Sequence, residues 1–118
     1  MKPESQIPLN PRDYLILFAL VSEERHGYGI VKQVEADSHG QVSLDPANLY
    51  RAVKRLIRDG MLAEGDKRPA PDAGDQRRRY YAITAFGREV VALEAARLAT
   101  LADAARAESL IPGPESSR

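Results

Sequence analysis

The chain contains no cysteine, and that absence removes disulfides, thiolate metal sites and thiol-based redox sensing together. It has no net charge either: 17 Lys and Arg balance 17 Asp and Glu, so the strongly basic signature of many nucleic-acid binders is missing. Long apolar runs are also missing. The longest, Tyr14 to Val21, is eight residues, far short of the roughly 20 that a membrane-spanning helix needs. The opening MKPESQIPLN has no apolar h-region, so a secretory signal is not expected and the cytoplasm is the default location. There are two histidines, His26 and His39, thirteen residues apart. Without cysteine they make a poor metal site, and His26 reads as a helix-cap or packing residue. No Ser/His/Asp set, paired carboxylates or Gly-rich phosphate loop stands out. Gly27-Tyr28-Gly29 lacks the strand and the third glycine of a dinucleotide site. An enzyme is not expected, nor a cofactor or metal ion. No internal repeat is visible. At 118 residues the chain forms one domain with a modest core.

What is present is concentrated in the middle. From Arg51 to Arg79 there are nine Lys or Arg against five Asp or Glu, a cationic stretch suited to a polyanion. Its first part, DPANLYRAVKRLIRDG from Asp45 to Gly60, reads as one amphipathic helix. Asp45 can cap it, Pro46 suits the first helical position, and Gly60 suits a left-handed C-terminal residue. Leu49, Val53, Leu56 and Ile57 recur as a core-facing stripe. At about 100° per residue, Arg51, Arg55 and Arg58 fall opposite, with Lys54 flanking. A dry face and a four-cation wet face fit a DNA-recognition helix, and fit a solvated surface helix as well.

The neighbours of this helix set its context. Residues 1–10 read as a flexible arm. Asn10-Pro11 opens a first helix running to about Glu23, with Asp13 in its first turn. Its centre, YLILFALV, is apolar nearly all round, which predicts burial against the core and against another subunit. Glu24 to Gly27 breaks the chain before a second helix from Gly27 to about Ala36. Val42 and Leu44 alternate with polar residues, allowing a short strand or extended connector. Met61 to Glu64 and Tyr80 to Ile83 read as two strands of a hairpin around a charged tip, GDKRPAPDAGDQRRR. Thr84 can cap a last helix from Ala85 to about Ala107, alanine-rich and too long for this domain to cover. The tail from Ser109 reads as disordered. The expected architecture is mainly α with a small β-wing: a winged helix-turn-helix over residues 11–84, a dimerisation helix over 85–108 and a tail over 109–118.

Four segments also resemble the PadR family of bacterial transcriptional regulators, in its short form with a single C-terminal helix. His26-Gly27-Tyr28 is like the family's HGY. Asp45-Pro46-Ala47-Asn48-Leu49-Tyr50 matches a segment written close to S-P-G-T-L-Y. LIRDGML, Leu56 through Leu62, is similar to L-E-x-x-G-L-I. Arg79-Tyr80-Tyr81-Ala82-Ile83-Thr84 with Gly87 is similar to R-x-Y-Y-x-L-T-x-x-G. The resemblance covers roughly Pro11 to Ala107. Ala47-Asn48 departs from the usual Gly-Thr, and Arg51 stands where a second proline is frequent.

Together these features imply a homodimeric repressor that binds double-stranded DNA on a palindromic operator. The resemblance adds a small apolar or aromatic effector as a further partner. Asn48, Arg51 and Arg55 are candidates for base or phosphate contact in the major groove, with Lys54 and Arg58 directed at phosphate. Tyr28 at the start of the second helix is a phosphate candidate. Tyr50, close to the apolar boundary, is a candidate for phosphate contact or for core packing. Lys67, Arg68, Arg77 and Arg78 flank the wing tip and are candidates for phosphate or the minor groove. Leu15, Phe18, Val90, Leu93, Leu98 and Leu101 are expected at the dimer interface. The alternative is a winged helix used as a protein–protein interaction module.

Overall fold

The computed structural model describes residues 1–65 and 79–113. The wing-tip residues 66–78, with Lys67, Arg68, Arg77 and Arg78, and the last five residues lie outside the described part. Among the described residues there are four α-helices, α1 (Pro11–Ala19), α2 (Gly27–Asp37), α3 (Pro46–Arg58) and α4 (Ala85–Ala107), and three short strands, β1 (Arg25–His26), β2 (Leu62–Glu64) and β3 (Tyr80–Ile83). The sheet is antiparallel in the order β1-β3-β2. Among the described residues no helix is long and apolar enough to cross a membrane.

Each helix starts on a local signal. The side chains of Asn10, His26, Asp45 and Thr84 accept the backbone N–H of Asp13, Gly29, Asn48 and Gly87 in turn. Each satisfies an N–H that has no partner inside its helix. The end of α3 is equally local. Gly60, at φ +82°, lets its own N–H reach the Ile57 carbonyl and the Met61 N–H reach Leu56. His39 and Gly40 close α2 in the same way.

The core forms where the apolar stripes of the helices meet. Ile16 and Leu17 of α1, Ile30 and Val34 of α2, and Leu49 and Leu56 of α3 are buried together. Removal of such a side chain from water is worth about 1.5–3 kcal/mol each. The wing and α4 complete the core through Leu62, Tyr81, Val90 and Val91.

Several expectations are corrected. α1 stops at Ala19, not near Glu23. The carbonyls at its last residue and just beyond are taken by arginines: Arg25 Nε donates to Ala19 at 2.6 Å and Arg88 Nη2 to Val21 at 2.8 Å. The chain is thereby freed to run extended, and Arg25-His26, read as a break, pairs with Tyr81 and Tyr80 as a third strand. Val42 and Leu44 form no strand; the Ser38 hydroxyl instead accepts the Val42 N–H at 3.0 Å, and Leu44 is buried. The arm is not loose over its described length. Its 3₁₀ turn at Pro3–Gln6 lies against α4, Ile7 and Leu9 pack on the core, and the Leu9 N–H reaches the Glu94 carboxylate at 3.1 Å. At the other end, Ser109 adopts φ +62° and the Ser109 and Leu110 N–H groups bond back to Arg106 and Ala105. The tail is therefore ordered through its first residues.

Candidate nucleic-acid interface

α3 is fixed before its outer face can act. Leu49, Ala52, Val53 and Leu56 hold it to the core, while Ile57, expected inward, is 37% exposed. Ala52 takes the inward position that Ile57 was expected to hold, so the buried arc is turned by about a third of a residue step from the aliphatic stripe. Opposite this arc, Asn48, Arg51, Lys54, Arg55 and Arg58 line one concavity of about 610 Å³ together with Arg12 from the first turn of α1. Arg12 was not a candidate from sequence. A cation in the first turn of a helix opposes the helix dipole, and that unfavourable placement was the available signal.

The concavity has internal order. The Asp45 carboxylate accepts both the Asn48 backbone N–H at 2.8 Å and its side-chain Nδ2 at 3.0 Å. The Asn48 carbonyl Oδ1 in turn accepts from Arg51 Nη2. Farther along α3, Arg55 is half-buried and forms an ion pair with Asp13 of α1. Arg55 was expected to face outward as a DNA-contact candidate; instead it ties α3 to α1. Asp13 itself is only 7% exposed. Its remaining oxygen faces Arg12 Nε at 3.7 Å, beyond hydrogen-bonding distance. Arg58 is exposed beside Asp59. The concavity thus presents Arg51, Lys54 and Arg58 outward, with Arg12 and Arg55 set behind them.

Two tyrosines sit at the junction of α2 and α3. Tyr28 is 66% exposed, stacked on His26, with the Lys32 ammonium 5.8 Å from its ring centre. Lys32 also escaped the sequence reading. Tyr50 is exposed, not packed in the core, and its hydroxyl lies over Gly27. His26 earns its place as a cap, its Nδ1 accepting the Gly29 N–H at 3.1 Å. At the base of the wing, Arg79 bridges to Glu64 across the two strands at 2.8 Å.

Of the expected interface leucines and aromatics, Phe18, Leu98 and Leu101 are exposed, while Leu15 and Leu93 are half-buried. Val90 is corrected: it is fully buried in the chain's own core and cannot face a partner.

The family profile described as transcriptional regulator PadR-like matches residues 16–93, about two thirds of the chain. The chain belongs to the PadR family. Solved structures share this PadR fold. A transcriptional regulator from Clostridium thermocellum is 23% identical with a TM-score of 0.63, covering 80% of this chain and 86% of its own. A PadR family regulator from Clostridium difficile is 20% identical, with a TM-score of 0.66 and coverages of 80% and 94%. A PadR-like regulator from Bacillus cereus is also 20% identical, at 0.66, with coverages of 86% and 92%. No curated protein matches the chain. As a member of the PadR family, the protein is a DNA-binding transcriptional regulator with a winged helix.

Proposed function

We propose that the protein is a homodimeric repressor that places α3 in the major groove of a roughly palindromic operator. The observation carrying this reading is the concavity on α3, where exposed cations surround an ordered Asp45–Asn48–Arg51 set. Helix-turn-helix proteins insert the N-terminal half of this helix, and cations at its margins suit the flanking phosphates. Tyr28 at the start of α2 extends the contact along the duplex.

Dimerisation is supported by the exposure of Phe18, Leu98 and Leu101. It is also supported by the reach of α4: none of its residues beyond Glu94 is buried. A second copy would cover these side chains and impose two-fold symmetry on the site. A cavity of about 570 Å³ between α1, the α2–α3 connection and α4, lined in part by Tyr14, Leu15, Val42 and Leu98, supports room for a small apolar or aromatic effector.

Selection of bound duplexes from a random pool tests this reading. Enrichment of a palindrome with half-sites about one helical turn apart is expected. Binding to it should weaken steeply with salt as counterions are released. A folded protein that enriches no duplex at low salt would sink the proposal.

A further inference from the structure

We infer that Arg51 reads a guanine and that Asn48, held by Asp45, is the residue that positions it. The inference rests on α3 entering the major groove and adds to that reading the base recognised and the division of labour behind it. A free arginine on a helix surface samples many rotamers, and ordering one on a base costs side-chain entropy. Here the ordering is done in advance. Asp45 is fixed by its capping bond to the Asn48 N–H, and its second oxygen takes the Asn48 amide. That bond turns the Asn48 carbonyl toward Arg51, which donates one Nη2 hydrogen to it.

A guanidinium has five N–H donors arranged as a fork. One donor on Nη2 is spent on Asn48, so a two-donor edge remains intact, whichever Nη2 hydrogen is used. Two parallel donors match the O6 and N7 acceptors of guanine, and no other base pair presents that pair of acceptors on one base in the major groove. The other cations of α3 do not compete for this task. Arg55 is committed to Asp13, Lys54 has a point charge without a fork, and Arg58 lies in the last turn of α3 beside Asp59. Asn48 still has one amide hydrogen and one lone pair unspent, enough in principle to read an adenine of its own. The relay and the independent reader therefore differ in which base pair depends on Asn48.

Duplex selection with the full-length chain separates them, run in parallel on wild type, R51A, N48A and the swap D45N/N48D. The swap exchanges donor and acceptor between positions 45 and 48 while keeping a good cap and an acceptor for Arg51. In the wild-type pool one guanine per half-site should stand out, its replacement weakening binding about tenfold to a hundredfold. R51A and N48A should relax that same base pair and leave preference elsewhere intact, and D45N/N48D should restore it. Loss of preference by N48A at a different base pair, or retention of the guanine by R51A, would overturn the inference while leaving DNA binding standing. Failure of the folded wild type to enrich any duplex would remove the reading beneath it, a result separable from either. Thermal melting of each variant identifies any loss that comes from unfolding.

Discussion

Gly87 is the position where the backbone of α4 passes closest to the start of β2. A Cβ there would sit 2.2 Å from the Met61 carbonyl oxygen and 2.9 Å from Ile83 Cγ1. The first neighbour is backbone and cannot swing aside. Gly87→Ala should cost about 1–3 kcal/mol, as overpacking does, read as a lower urea midpoint. Gly27 meets a different neighbour, the Tyr50 hydroxyl at 2.9 Å, at the far end of an exposed side chain that can move. Gly27→Ala should therefore change stability by less than about 1 kcal/mol, since alanine's better helix propensity offsets the displacement. Equal losses at the two sites would contradict this account. Arg55 poses a second question of the same kind. Its partner Asp13 is buried, so Arg55→Ala should lower stability by about 1–3 kcal/mol, because the carboxylate would keep only the Asn10 amide at 3.3 Å. Asp13→Asn should blunt that loss in a double-mutant cycle. If Arg55→Ala left the unfolding curve in place and weakened only DNA binding, Arg55 would be a contact residue after all.

Among the elements, α3 and α4 are joined by Thr84. Its hydroxyl donates to the Gly60 carbonyl at 2.7 Å and accepts the Gly87 N–H at 2.9 Å. One side chain thus caps the long helix and binds it to the end of α3. Thr84→Ala should cost about 1–2 kcal/mol, the usual loss for a cap, and Thr84→Ser should recover most of it in the same thermal melt. A serine variant as weak as alanine would mean that the methyl group, not the hydroxyl, holds the junction. Features of this local kind were legible in the sequence. Asn10-Pro11, Asp45-Pro46 and Thr84 each cap within three residues, and the starts at Pro11, Pro46 and Ala85 follow from them. The cationic face of α3 was legible from helical periodicity. The end of α1 was not, because one of the two arginines that take the carbonyls there, Arg88, lies 67 residues away. Nor was the pairing of Arg55 with Asp13, across 42 residues. Periodicity says which way a side chain faces, and says nothing of what waits for it there.

For the whole molecule, Glu94 is the group that fastens the arm to α4. It is 1% exposed. Its carboxylate accepts Arg97 Nε at 2.7 Å and Nη2 at 2.8 Å, and the Leu9 N–H at 3.1 Å. The Arg97 hydrogen bonds, helped by the Leu9 N–H and the arginine's charge, hold its pKa below the ordinary 4.5 although burial pushes the other way. A carboxyl whose pKa is depressed on folding stabilises the fold above its unfolded value. That stabilisation is lost as pH falls through the folded value. Nearby Tyr14 has the opposite sense: burial first, and the Glu94 charge second, raise its pKa above the ordinary 10.0. Its phenol therefore favours the fold below that value and loses this contribution as the solution becomes more alkaline. Glu94→Gln keeps an acceptor for Leu9 and removes the charge that Arg97 binds. At neutral pH the variant should be less stable by about 1.5–3 kcal/mol, the range for hydrogen bonds to charged groups. On acidification the wild type should lose its advantage as Glu94 takes up its proton, so the urea-unfolding free energies of the two proteins should converge below the ordinary carboxylate range. A gap that stayed constant through acid would show that the shape of the Glu94 side chain, not its charge, holds the arm to α4.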